Sequence, residues 1–221
     1  MRINIAIDGP SAAGKSTIAD VLAEKLNYTH LDTGAMYRSV GYKAKQHSIA
    51  LDNEEAIVEM IEKMNLQMNS DGSVILDGED VSDKIRENDI SMAASNVSKL
   101  NGCRVALVAM QQKICENGGY ILDGRDIGTV VLKDAPVKIY MVASAEARAQ
   151  RRVLQNIEKG IDANYEEILE DIKTRDYQDM HREFSPLMKA DDAIEIDTSD
   201  MTIDEVVEKI MSIIEEKVEE K

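Results

Sequence analysis

The stretch Gly9-Pro10-Ser11-Ala12-Ala13-Gly14-Lys15-Ser16 fits G-x-x-x-x-G-K-[ST], the Gly-rich loop whose backbone N–H groups wrap nucleotide phosphates. Its flanks agree. Ile3, Ile5 and Ile7 alternate before the loop as a short strand, and Ser16 to Leu26 reads as an amphipathic helix. The loop therefore joins strand to helix, where the free amides and positive dipole end of the helix add to the cradle. Gly9 and Gly14 let backbone approach the anion closely, Lys15 supplies a point charge for the β- and γ-phosphates, and Ser16 offers a hydroxyl to Mg²⁺. The expectation is a nucleoside triphosphate site.

The bulk numbers set the frame. The chain has 221 residues, 43% hydrophobic and 31% charged, which suits one soluble α/β domain with inserted lobes. No apolar run approaches the ~20 residues of a membrane span. Met1-Arg2-Ile3 leads straight into the first strand, so no signal peptide is expected and the reading is cytoplasmic. Cys103 and Cys115 lack C-x-x-C spacing and read as buried reduced thiols rather than a disulfide. A net charge of −16 argues against nucleic acid or anionic membrane as a partner. Of the arginines, only Arg2 and Arg86 fall outside the segments discussed below. An acidic protein that concentrates Arg, the residue suited to bidentate phosphate contacts, in a few segments binds small anions. His30, His47 and His181 share no metal-ligand spacing and read as incidental, and the methionines read as core filler.

Strand and helix alternate along the chain, the pattern of a parallel sheet covered on both faces. Strands are expected at about 2–7, 28–31, 119–122, 136–142 and 193–197, and helices near 15–26, 35–47, 54–64, 88–99, 102–116, 145–159, 164–182 and 202–219. One region breaks the alternation. Asp71-Gly72 and Asp77-Gly78 separate the short apolar segments between Leu66 and Val81, which predicts a small antiparallel meander. A second insert is expected between Arg148 and Asn164, an Arg-rich helix-loop-helix able to close over phosphates.

Four further segments carry charge. Leu31-Asp32-Thr33-Gly34-Ala35-Met36-Tyr37-Arg38 reads either as a second phosphate site or as an ordinary N-capped strand-to-helix turn. Leu122-Asp123-Gly124-Arg125-Asp126-Ile127-Gly128 follows a core strand, so its charges should face the same crevice as Lys15. Asp123 is placed to hold Mg²⁺ through water, while the alternative is a polar turn with a structural ion pair. Arg148, Arg151 and Arg152 share one helix face, either as a phosphate clamp or paired with Glu146 and Glu158. Arg175, Asp179 and Arg182 repeat the spacing, either toward a ligand or as a routine surface pair.

Taken together, Ile7-Asp8-Gly9-Pro10-Ser11, the Leu31–Arg38 segment, Asp123-Gly124-Arg125-Asp126 and Ala135-Pro136-Val137-Lys138-Ile139-Tyr140 resemble the bacterial cytidylate kinases, from about residue 3 to 218. The resemblance implies an α/β P-loop kinase with a five-stranded parallel sheet flanked by helices, an inserted small antiparallel sheet lobe and a helical lid. The core would comprise 1–34, 100–145 and 183–221, the monophosphate lobe 35–99 and the lid 146–165, followed by helix 164–182. It implies that Gly9, Pro10, Ser11, Ala12, Ala13, Gly14, Lys15, Ser16 and Thr17 bind ATP. Ser95, Arg104 and Asp126 would read the cytosine ring. Arg38 and Arg125 would bind the monophosphate near Thr33, with Arg175, Asp179 and Arg182 on the substrate side. Lys15, Arg125, Arg148 and Arg152 are the expected catalytic residues, and Ser16 and Asp123 the Mg²⁺ ligands. The implied reaction moves the ATP γ-phosphoryl group to CMP or dCMP; a monomer is expected because the sequence shows no large exposed apolar patch. Two rivals remain. A kinase acting on a hydroxyl, such as a shikimate or sugar-acid kinase, would want a carboxylate base and no large meander. A GTPase-type switch would need Asn-Lys-x-Asp, which the sequence lacks.

Overall fold

The structure, a computed structural model, describes residues 2–158 and 160–219. Met1, Lys159, Glu220 and Lys221, which fall within the expected core and lid segments, lie outside the described residues. Five strands form a parallel sheet in the order β2-β6-β1-β7-β8: β1 (Ile5–Asp8), β2 (Thr29–Asp32), β6 (Tyr120–Gly124), β7 (Val137–Val142) and β8 (Ile194–Asp197). Each lies within three residues of its expected place. Buried on both sides, β1 reads as continuous apolar sequence, with Ala6 packing on one face and Ile5 and Ile7 on the other.

Among the described residues, eight α-helices flank the sheet and its inserts. The face built on Ile5, Ile7, Ile121 and Ile139 is covered by α1 (Lys15–Leu26) and α8 (Ile203–Glu219), through Ile18, Leu22, Val206 and Ile210. The opposite face, with Leu31 and Leu122, is covered by α2 (Thr33–Gln46), α3 (Glu54–Lys63) and α5 (Asn101–Ile114), through Met36, Val40, Ile57 and Leu107. A fourth helix, α4 (Asn88–Val97), precedes α5, while α6 (Ala145–Glu158) and α7 (Tyr165–His181) pack together after β7. No described helix is long and apolar enough to cross a membrane.

The expected meander is present as β3 (Leu66–Met68), β4 (Val74–Leu76) and β5 (Glu79–Asp80), an antiparallel sheet of its own. Asp77 and Gly78 take φ of 52° and 88° between the paired Leu76 and Glu79, the two left-handed residues of a tight hairpin. Cys103 and Cys115 are buried free thiols, both pushed up to about 12 by burial. The methionines divide: Met36, Met60, Met64 and Met141 fill the core, whereas Met92, Met180 and Met188 are exposed, so the reading of methionine as core filler holds for only part of them.

Parallel pairing aligns the carboxyl ends of the strands. Asp32 and Ile7 both register with Asp123, and Asp8 with Gly124. Three carboxylates therefore stand along one edge of the sheet, where an open α/β fold gathers its ligands. β1 is the switch point, with β6 on one side and β7 on the other. Gly9 leaves β1 with φ of 151°, and a Cβ there would overlap the Met141 carbonyl oxygen of β7. Only glycine lets the loop leave the sheet at that point.

Candidate active site

The loop from Gly9 to Thr17 turns from β1 into α1 through two left-handed residues, Ala12 (φ 59°) and Gly14 (φ 86°). Gly14 is the N-cap of α1 and supplies no side-chain cap, so the first-turn amides are left for an anion. Lys15 is buried and donates from Nζ to the Pro10 carbonyl at 2.8 Å. Burial, followed by the neighbouring Arg125, pushes its ammonium down to about 7, against the pull of Asp123 and Asp8. A cation held this way lacks an anion.

Every sequence-predicted site residue except Gly9, Pro10 and Arg148 lines one cleft of about 640 Å³. Ser16 Oγ donates to Asp123 Oδ2 at 2.9 Å, so two hard oxygen ligands meet at the start of α1. That donor pair fits Mg²⁺, which keeps most of its shell as water and phosphate oxygen. Asp123 is drawn below the usual carboxylate range: burial raises it, but His30, Lys15 and the Ser16 hydroxyl outweigh burial. Thr33 Oγ1 donates to the Asp123 carbonyl at 2.7 Å. Asp32 both caps α2, accepting from Ala35 N at 2.9 Å, and pairs with Arg38 at 2.7 Å, so the capped turn is real and also aims an arginine at the cleft.

The second arginine set is more informative. Arg125 donates from Nε to Asp179 Oδ2 at 2.8 Å. Of the two readings of Arg175, the routine pair with Asp179 four residues on is not formed; its buried Nε has no hydrogen-bond partner among the described residues. Burial, Arg125 and Arg38 together push it down to about 10. Three guanidiniums converge with too little negative charge among them. Beyond them, buried Arg104 donates to Asp126, whose other oxygen lies 3.7 Å from Arg182, and the Arg104 guanidinium stacks 5.4 Å from the Tyr37 ring centre. Ser95 Oγ lies on the same wall, 3.4 Å from Gln178 Oε1.

The cleft thus joins a triphosphate cradle to a cationic pocket, and the family model described as cytidylate kinase matches residues 5–216. The chain belongs to the cytidylate kinase family. It is similar to the cytidylate kinase of Bacillus cereus strain B4264, 50% identical over 216 residues and 96% of each chain. It is also similar to that of Bacillus thuringiensis strain Al Hakam, 49% identical over 216 residues. Among solved structures, the shikimate kinase of Bacteroides thetaiotaomicron aligns with a TM-score of 0.51 at 11% identity, covering 96% of this chain and 98% of that one. At that identity the likeness concerns the fold alone.

Four residues of this cytidylate kinase family member, Arg148, Arg151, His30 and Asp8, have roles that the sequence reading did not give them. The arginines of α6 do not act as one clamp, nor do they pair with Glu146 or Glu158. Arg148 is buried, does not line the cleft, and donates to the Ala143 carbonyl, the Ser11 carbonyl and Asp176. Arg151 donates to the Thr198 and Ser199 carbonyls at the end of β8. Arg152 alone of the three lines the cleft without a partner among the described residues. His30 is not incidental. It bridges Asp20 at 2.6 Å and Asp123 at 2.8 Å; burial lowers its pKa, but the two carboxylates outweigh that and push it up to about 10. A search for metal spacing misses a histidine that orients a carboxylate. Asp8, which enters the sequence reading only through the resemblance, accepts Ile127 N at 2.8 Å and Gly128 N at 2.7 Å on its two oxygens. It fixes the π-helical turn Ile127–Val131 that follows Arg125 and Asp126. A carboxylate ending a central strand is the signal that would have found it.

Proposed function

We propose that the protein carries ATP, with Mg²⁺, on the Gly9–Thr17 loop and CMP or dCMP in the pocket beyond it, and moves the γ-phosphoryl group between them. The observation that carries this reading is Arg175, whose buried Nε has no partner among the described residues and whose guanidinium is pushed down to about 10 by burial first and by Arg125 and Arg38 after it. A phosphate dianion is the group that completes such a site. The second pKa of a phosphate monoester is about 6, so the acceptor oxygen is already anionic near neutrality and needs no general base.

Rate then comes from alignment and charge neutralisation. Lys15 and the loop amides hold the donor. Arg38, Arg125 and Arg175 hold the acceptor phosphate beside Thr33. Arg152, on the α6 wall, faces the charge that develops between them. When bound through Ser16, and through Asp123 directly or by way of water, Mg²⁺ supplies charge neutralisation on the donor phosphates. Asp179 orients Arg125, and Arg182 braces Asp126. For the base, Asp126 accepts the exocyclic amine that cytosine carries and uracil lacks, while Arg104 and Ser95 serve its remaining polar edge. Closure of the lid segment 146–165 would exclude water, which otherwise competes as acceptor.

The test is a coupled ADP-release assay with Mg-ATP across CMP, dCMP, UMP, AMP, GMP and shikimate. Turnover is expected with CMP and dCMP. Preference for shikimate, or turnover with AMP alone, overturns the reading. The expected monomer is checked by light scattering on the same preparation.

A further inference from the structure

The helical spacing of Arg148 suits a phosphate ligand, but its three donor nitrogens are all engaged by the protein. Nε donates to the Ala143 carbonyl at 2.9 Å, Nη1 to the Ser11 carbonyl at 2.9 Å and Nη2 to Asp176 Oδ2 at 2.6 Å. The side chain is 5% exposed and its carboxylate partner 13%. One guanidinium therefore joins the end of β7, the phosphate-binding loop and α7. The contact with Ser11 is the unusual one, because it spans 137 positions of sequence and ends on a loop carbonyl.

The consequence lies in the peptide unit. A trans peptide is planar, with its C=O and N–H pointing in opposite directions. Fixing the Ser11 carbonyl on Arg148 therefore fixes the direction of the Ala12 N–H on the far side of the same plane. Ala12 takes φ of 59°, a conformation that alanine adopts only where its surroundings impose it. Successive amides around such a left-handed residue form an anion-binding concavity. The Ser11, Ala12 and Ala13 segment lines the cleft, whereas Arg148 does not.

We infer that Arg148 is a positioning residue that sets the Ser11–Ala12 peptide so that the loop presents its amide to the donor phosphates. The effect should fall mainly on the donor nucleotide: among the described residues no hydrogen bond or ion pair joins Arg148 to Arg38, Arg125 or Arg175, and its link to that side runs through the charge of Asp176, which also acts on Arg125 and Arg175. Asp176 holds the guanidinium in place and takes up its charge, which a buried cation requires. This inference rests on the loop being the ATP site, so the experiment carries a reference that tests that premise separately.

Titration calorimetry on the whole protein would measure Mg-ATP and CMP binding, each alone, for the wild type, Arg148→Ala, Arg148→Lys and Lys15→Ala. Lys15→Ala is expected to abolish ATP binding; if it does not, the site reading itself fails. Arg148→Ala is expected to weaken ATP about ten-fold, the loss of one charge-assisted hydrogen bond, with CMP changed less than about two-fold. Arg148→Lys keeps the charge and one donor, and is expected to fall between the two. If Arg148→Ala does not fold, the lysine variant alone decides. Equal weakening of both nucleotides would mean a merely structural role. Unchanged ATP affinity beside an impaired Lys15→Ala, in whichever Arg148 variant is measurable, would overturn the inference.

Discussion

Asp8 Oδ2 accepts the Gly128 N–H at 2.7 Å, joining the residue that ends β1 to the turn beyond Arg125 and Asp126. Burial pushes this carboxyl up to about 6, against two backbone hydrogen bonds and Lys15, while the nearby Asp126 adds to the rise. Its folded pKa lies above the unfolded value of 3.8, so the folded state binds more protons between those two values. Stability from this group is full below the unfolded pKa and is lost as pH rises toward 6. In urea unfolding, the wild type should lose roughly 1.5 kcal/mol relative to Asp8→Asn between about pH 5 and pH 7.5. A constant difference across that range would show that the group is not raised.

Arg175 points to a trade between stability and function. Arg175→Met removes a guanidinium that Arg125 and Arg38 repel and that no protein acceptor satisfies at Nε. The free protein should gain about 2–4 °C in Tm. Its kcat/KM for CMP should fall about a hundred-fold with the loss of a phosphate-binding charge. Differential scanning fluorimetry and steady-state kinetics on one preparation check both. A variant less stable than the wild type would refute the account of mutual repulsion.

Neighbours on α6 should behave differently. Arg151→Ala removes donors to the Thr198 and Ser199 carbonyls and should lower Tm. Arg152→Ala removes no protein contact among the described residues and should leave Tm unchanged while lowering kcat about a hundred-fold. Thermal melts set beside kcat values separate the two, and the reverse pattern would reassign the lid arginine.

Asp126 is the position where base identity should be read. Asp126→Asn exchanges half of an acceptor surface for a donor, next to Arg104 and Arg182. The kcat/KM for CMP should drop about 10- to 100-fold, and the ratio of CMP to UMP should fall with it. If that ratio is unmoved, recognition of the exocyclic amine lies elsewhere.

Much of this was legible in local sequence, and what was not has a common cause. Periodicity placed the core strands, and Asp77-Gly78 placed the hairpin, because both depend on near neighbours. The order β2-β6-β1-β7-β8 follows from crossovers that no window of sequence contains. Ile127-Gly128-Thr129-Val130-Val131 has a strand's composition but forms a π-helical turn, held by Asp8 from the other end of the chain. The spacing of Arg148, Arg151 and Arg152 correctly gave a helix. It could not show that Ser11, Asp176 and Thr198 occupy two of the three guanidiniums. The His30 bridge was hidden for the same reason, since Asp123 meets it across β2 and β6.

The glycine that opens the phosphate loop has a wider consequence. Because Met141 leaves no room beside Gly9, the donor wall of the cleft cannot drift without dragging the central sheet along. Adaptation to an incoming pyrimidine nucleotide must then be borne by the opposite bank. An inhibitor shaped to the donor wall would meet a backbone whose path beside Met141 admits no side chain at Gly9.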